Sequence, residues 1–345
     1  MRRNVVKTGT KTVVTATAAL LVSVLRLVPA FCQSVTTEAT VNAGVSYSSS
    51  DVSAVASQLR AFGEIKRDGP RFFVEGAWAE KSKDDGDSFG AAYPYSNRLK
   101  LIEAYVEDTW QPAGKLLSLR AGRYRTPFGI YNGSDYAYNG FLRAPLIRYD
   151  GYYALSNNFL EEGADVVVGV PRFSVETSVG APADVGSSVR RSNLDTVFRV
   201  QAFEGPFLIG VSHIHTSPYQ SPIFAHGHAD FTGVDVRWMR DGVQLRGEWI
   251  GGRPFDGTTT TGWYIDTLVH RTGMGPVTAV ARLERLDYDA VAPFTLRAQR
   301  QTLGARVRLY EGLSVQVDAL HETGGIAEYG PKALDVGVSY LIRRD

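Results

Sequence analysis

Cys32 is the only cysteine in the 345-residue chain, so no disulfide framework is available to hold a fold together. Lysine is also scarce. It occurs at 7, 11, 66, 81, 83, 100, 115 and 332, and the other basic residues are arginine, whose planar fork suits carboxylate or phosphate. Beyond the N-terminal region no run approaches the roughly 20 apolar residues of a spanning helix, which excludes a helical anchor there. A helical 3.6-residue period is absent after residue 36. Net charge is only +1, so no general attraction to nucleic acid follows. Mean hydropathy is −0.13. That value says nothing against a membrane β-barrel, in which lipid-facing and lumen-facing residues alternate and average out.

The N-terminus places Arg2, Arg3, Lys7 and Lys11 before a mostly apolar stretch, Val13–Val28, followed by Pro-Ala-Phe-Cys-Gln. This order is that of a secretory signal peptide over residues 1–32, with cleavage after Ala30 or after Cys32. Phe31 precedes the cysteine where a lipoprotein signal needs a small residue, which argues against a lipid anchor. Residues 33–345 are then expected to form one exported domain.

In that domain, apolar and polar residues alternate in runs of about nine to twelve, the length of a tilted strand crossing a bilayer. Val41, Ala43, Val45 and Tyr47 alternate with Asn42, Gly44 and Ser46; Val234, Val236 and Trp238 alternate with Asp235 and Arg237. The runs continue to Leu334–Tyr340, and about sixteen strands are counted. Connections fall into two alternating sets. Tight ones such as Arg67-Asp68-Gly69-Pro70 and Arg240-Asp241-Gly242 carry residues that supply positive φ or fix φ. Longer polar ones lie near 48–56, 82–99, 126–160, 182–193, 216–228, 251–258, 289–295 and 323–331. Short turns on one side and long loops on the other are the outer-membrane pattern, with both termini on the periplasmic side. A soluble sandwich or propeller has no reason to confine Arg, Glu and Asp to the polar face, or to place Tyr47, Trp78, Trp110, Trp238, Trp249, Trp263 and Tyr340 near strand ends like an interfacial girdle. The expected fold is an all-β transmembrane antiparallel barrel enclosing an aqueous lumen.

Alternation puts Arg60, Arg120, Arg199, Arg237, Arg246, Arg282, Arg306 and Arg308 in that lumen, with Glu75, Glu103, Glu107, Asp165, Asp235, Glu248, Asp266, Glu284 and Asp335 among the acids facing them. Rings of fixed charge select ions by sign. A modest anion preference is expected from Arg120, Arg123, Arg125, Arg143 and Arg148. The competing reading is mutual neutralisation, for example of Asp235 with Arg237 and Arg246 with Glu248.

Residues 126–160 form the third external connection. A segment this long without secondary structure is uncommon in a compact domain unless functional. Tyr131, Tyr136, Tyr149, Arg143 and Arg148 mark it as a constriction folded into the pore. Just before it, Gly122-Arg123-Tyr124-Arg125-Thr126-Pro127-Phe128-Gly129 resembles the Gly-Arg-aromatic-basic-Thr-Pro-Phe-Gly stretch of the phosphate-selective porin O/P-like family. The resemblance implies a water-filled outer-membrane channel, a homo-trimer, with a third loop that narrows it. Phosphate-specific members use a lysine-rich ladder and loop. This loop has no lysine, so phosphate specificity is not carried over. The chain ends Tyr340-Leu-Ile-Arg-Arg-Asp345, without a terminal aromatic.

The expected activity is passive diffusion of small hydrophilic, or anionic, solutes, with lipid as the surrounding partner and no cofactor. A structural or adhesive barrel and a barrel enzyme are the alternatives. For the enzyme, no Ser, His and acid can be assembled from neighbouring strands. His213, His215, His226 and His228 flank one external loop and form a weak candidate metal site.

Overall fold

A computed structural model of the chain describes residues 34–48, 51–82, 99–130, 140–148, 160–183, 190–191, 194–216, 219–220, 228–254, 258–289, 295–324 and 332–344. The signal peptide expected over 1–32 lies outside them. Sixteen of the strands close into one antiparallel barrel. In chain order these are β1 (Ser34–Tyr47), β2 (Val52–Glu64), β3 (Arg71–Lys81), β4 (Lys100–Trp110), β5 (Leu116–Arg125), β6 (Leu160–Val170), β7 (Phe173–Pro182) and β8 (Asp195–Glu204). The second half contains β9 (Phe207–His215), β10 (Asp230–Arg240), β11 (Val243–Arg253), β12 (Thr259–Val269), β13 (Val277–Asp289), β14 (Thr295–Tyr310), β15 (Leu313–Gly324) and β16 (Lys332–Arg344). Each strand pairs with its neighbours in sequence, and β1 pairs with β16 from Thr37↔Arg344 to Tyr47↔Leu334, which removes every open edge.

Burial is inverted relative to a soluble protein. Val168, Ile209, Ile265 and Leu303 are among the exposed large apolar residues, whereas Asp235, Asp266, Glu284 and Asp335 are buried. An apolar outer face around a charged interior is hidden from water only by a bilayer. Tyr47, Trp249 and Trp263 lie on that outer face toward the long-loop end. Trp110, Phe207 and Tyr310 lie toward the short-turn end, so both interfaces carry aromatics. Val166, near the middle of β6, tests this. Replacing it by Arg is expected to cost about 2–4 kcal/mol of barrel stability, the cost of a cation near the bilayer midplane. Urea unfolding in lipid vesicles measures it; an unchanged midpoint would contradict a lipid-facing Val166.

The tight turns follow the chemistry read from the sequence. Asp241 and Gly242 both take positive φ, 51° and 75°, as a two-residue hairpin turn matched to strand twist demands. Three details differ from expectation. The first external connection is shorter than residues 48–56, because β2 already begins at Val52. Two-residue strands at Arg190–Arg191 and Tyr219–Gln220 pair with each other and tie the fourth external loop to the fifth. The β3–β4 register shifts between Glu75 and Gly76. The extra residue breaks the alternation of Ile102 with Ala104 and Val106 and turns Ile102 into a fully buried position beside Ala77, Ala79 and Leu160.

Candidate functional site

The third external loop leaves β5 at Arg125 and crosses to the opposite wall. Its backbone finds partners on strands far around the barrel. Gly129 N–H donates to Ser212 Oγ of β9 at 3.2 Å, and Ile130 N–H to Glu248 Oε1 of β11 at 3.2 Å. After 131–139 the chain is held again. Gln316 Nε2 of β15 donates to the Gly140 carbonyl at 2.7 Å, and Leu142 N–H donates to Asp318 Oδ2 at 3.1 Å. Arg143 forks onto Asp335 of β16 at 2.6 and 3.0 Å and reaches Ser46 Oγ of β1 at 2.8 Å. Arg282 of β13 donates to the Arg143 carbonyl at 2.9 Å, and Arg300 of β14 to the Ala144 carbonyl at 2.6 Å. Leu146 N–H closes the set on Glu284 Oε2 at 2.6 Å, opening a single 3-10 turn over Leu146–Arg148. A backbone buried in a lumen must place its N–H and C=O groups somewhere. Here the charged wall receives them.

Apolar seats complete the attachment. Phe128, Leu146 and Ile147 pack with Val197, Ile214, Phe231, Ile250, Tyr264 and Leu286. Leu142 joins the small residues Ala54, Ala56, Ala77 and Ala79. Three of these loop side chains, Phe128, Leu142 and Ile147, rest on the wall glycines Gly233, Gly337 and Gly262. A Cβ at Gly233 would stand 3.2 Å from the Phe128 ring, and one at Gly337 would stand 2.5 Å from Leu142 Cδ2. The missing side chains are sockets for the loop.

This arrangement also settles where the wall charges go. Arg199 pairs with Asp235 at 2.7 Å, and Arg246 and Arg282 share Asp266 at 3.0 and 2.6 Å. Arg300 pairs with Glu284 at 2.7 Å. The Arg282 guanidinium also lies 3.9 Å from the Phe141 ring centroid and is 1% exposed. Arg120 meets Glu107 at 3.0 Å and Asp165 at 3.5 Å, with Tyr105 beneath it at 4.9 Å. Arg125 bridges Glu75 at 2.6 Å and Glu103, while Arg60 holds Glu75 from the other side at 2.8 Å. Neutralisation is therefore extensive, and it includes one of the two pairs read from the sequence. Asp235 pairs with Arg237 at 4.0 Å as well as with Arg199, while Glu248 accepts from Tyr264 Oη at 3.1 Å and from the Ile130 N–H of the loop, and Arg246 pairs with Asp266.

The remaining site residues divide as follows. Arg123 is a correction. It shares the outward face of Leu117, Leu119 and Ala121, where it pairs with Glu162 at 3.0 Å and donates to the carbonyls of Ile102 and Ala183 at 3.0 and 2.8 Å. It does not line the lumen, because strand alternation carries it to the other side of β5 from Arg120. Arg306 donates to Gln316 Oε1 at 3.1 Å, and Arg308 is exposed. Tyr131, Tyr136 and Tyr149 fall outside the described residues, as does the side chain of Arg148. His215 stacks on His228 with centroids 4.4 Å apart and bonds Asp230, while His213 bonds Thr232 at 3.1 Å on the exposed face. His226 is outside the described residues. Among those described, no group of three His, Cys, Asp or Glu is placed to hold a metal ion.

Sequence reading missed Arg300 as a site residue, as well as the socket glycines. Arg300 had a signal, since it shares the parity of Arg306 and Arg308 on the same strand. The glycines had none, because a socket exists only once the loop fills it.

No protein-family model matches the chain, and no curated protein matches it either. Solved structures do. OmpF of Salmonella typhi superposes with a TM-score of 0.65 at 11% identity, over 89% of this chain and 97% of that one. An anion-selective porin from Comamonas acidovorans gives 0.63 at 12% identity, over 90% and 99%. OmpT of Vibrio cholerae in its trimer form gives 0.58 at 12%, over 90% and 99%. The fold is thus that of the outer-membrane porins. At these identities the likeness is one of architecture, and it does not single out the phosphate-selective family that Gly122–Gly129 resembles.

Proposed function

We propose that this protein is a porin of the bacterial outer membrane, a water-filled channel for passive diffusion of small hydrophilic solutes. The observation that carries this reading is the third loop. It is drawn into the lumen and fixed there by side chains of β1, β9, β11 and β13–β16, as a constriction requires and a structural or adhesive barrel does not. Arg120, Glu107 and Arg237 keep 23%, 26% and 38% exposure inside the barrel, so charged walls meet water in the half the loop does not fill. A channel of this kind performs no covalent chemistry.

Two finer readings belong with it. The first is assembly as a homo-trimer, which agrees with the trimer form printed for the Vibrio cholerae protein. The second is a modest anion preference, the property printed for the Comamonas acidovorans porin. With Arg120, Arg125 and Arg143 each held by acids, that preference falls to the arginines nearer the short turns. Purified protein in planar bilayers is expected to give stepwise conductance increments, and reversal potentials across a KCl gradient are expected to favour chloride. Absence of conductance from folded protein would overturn the channel; clear cation selectivity would overturn the anion preference alone.

A further inference from the structure

Three aromatic side chains meet across neighbouring strands in the half of the lumen that the third loop does not fill. Register sets Phe62 of β2 opposite Phe73 of β3, and Phe73 opposite Tyr105 of β4. Alternation keeps them on the lumen face, with Arg60, Glu75 and Glu103 two positions nearer the long loops. The Phe62 and Phe73 rings are 21° from parallel with centroids 6.2 Å apart, and the Phe73 and Tyr105 rings are 17° from parallel at 5.2 Å. This is the geometry of offset stacking. On the same two strands the loop reaches only Ala54, Ala56, Ala77 and Ala79, where Leu142 sits. All three aromatics are half-buried, and none belongs to the apolar clusters that seat the loop. They form a continuous apolar strip on a wall that meets water, and such a patch ordinarily marks a place where something binds.

Charged residues border the strip on both sides. Toward the loops, Arg60 holds Glu75 at 2.8 Å, and Arg125 bridges Glu75 at 2.6 Å and Glu103. Toward the short turns, Arg71 stands 3.7 Å from Glu64, and Arg120 pairs with Glu107 at 3.0 Å. The four residues on the short-turn side all keep solvent exposure. The Arg120 guanidinium also lies 4.9 Å from the Tyr105 ring centroid and closes that end of the row. Because each arginine here is matched by a carboxylate, the borders do not select one sign of charge. Each pair instead offers a donor and an acceptor side by side, and a hydroxyl group, which both donates and accepts, can use the two together.

We propose that this strip binds sugars, a pyranose ring laying its C–H face along Phe62, Phe73 and Tyr105 while its hydroxyls bond to the Arg71–Glu64 and Arg120–Glu107 pairs. A free carboxylate or phosphate meets an acid beside every guanidinium, and a purely apolar solute leaves the polar borders unused. A neutral, polyhydroxylated molecule with one apolar face matches both parts of the wall. The inference rests on the channel reading and deepens it, since the strip lies on the solute path beyond the loop.

The test uses full-length protein in planar bilayers and maltotriose, with polyethylene glycol of matching size as the control. Maltotriose added on the short-turn side is expected to reduce single-channel current in a saturable way, whereas the glycol lowers it only in proportion to its concentration. Phe73→Leu keeps an apolar side chain but removes the central ring, and is expected to weaken half-maximal block about fivefold. Phe73→Tyr, which keeps the ring, is expected to block like the native channel. Phe62→Leu, at the end of the row, serves if the first variant does not fold, with about a threefold loss expected. A native channel indifferent to maltotriose, or equal block of the native and Leu variants, overturns the sugar site while the channel stands. If folded protein does not conduct, the channel reading fails instead. Calorimetric titration of maltotriose into the detergent-folded barrel then decides the strip by itself: binding that Phe73→Leu weakens supports it, and no binding, or binding that the variant leaves unchanged, rejects it.

Discussion

Arg282→Ala is expected to destabilise the barrel by about 3 kcal/mol and to release the third loop, because it removes one partner of a buried ion pair. Arg282 holds Asp266 at 2.6 Å, caps the Arg143 carbonyl at 2.9 Å and covers the Phe141 ring, all at 1% exposure. Without it Asp266 keeps Arg246 alone, and a loop carbonyl loses its donor in a place water does not reach freely. Arg282→Lys keeps the charge but not the fork, and should fall between the two. The measurement is urea unfolding followed by electrophoretic mobility, with single-channel conductance alongside. A variant as stable as the native chain, with unchanged conductance, would mean that the loop is held by something other than this contact.

The second large effect comes from Gly337→Leu. The three atoms nearest a Cβ there all belong to the Leu142 side chain, at 2.5, 3.2 and 3.5 Å, so the new side chain collides first with the loop. Overfilling a packed contact costs about 1–3 kcal/mol. The expected result is a displaced loop and a raised conductance, in a barrel whose strand pairing is intact. Adding Leu142→Ala should restore much of the native conductance by making room, and the double-mutant cycle isolates the pair. No rescue, or no change from Gly337→Leu itself, would remove the glycine socket from the account.

Much of the architecture was legible because a barrel writes itself in a period of two. Val41 to Tyr47 and Leu334 to Tyr340 could be assigned a face without knowing their neighbours. The tight turns could be placed because Asp241-Gly242 permits what a two-residue hairpin demands. Asp235 with Arg237 apart, the partners of the charges were not legible. Asp266 is met by Arg246 and Arg282 because register sets all three side by side, Arg246↔Asp266 and Asp266↔Arg282, and no residue spacing announces a register. The bulge at Glu75 and Gly76 was invisible for the same reason, and with it the inward turn of Ile102. The long loop itself was easy to find. Its role as recipient of the wall charges was not, since that depends on strands more than a hundred residues further along the chain. The arginines read as waiting for a solute are largely occupied by the barrel's own carboxylates.

That dependence has a consequence for how the molecule comes into being. The loop's anchors lie late in the chain: Arg143 meets Asp335 across 192 positions, Leu142 meets Asp318 across 176 and Arg282 reaches back 139. Contacts of such long range form only after the intervening strands are in place, since their loop-closure entropy must be overcome first. The newborn barrel is therefore a wide ring before it is a narrowed one. Its permeability barrier is the last part of the structure to mature, and the third loop should be open to protease early in refolding and protected only once β16 has zipped onto β1.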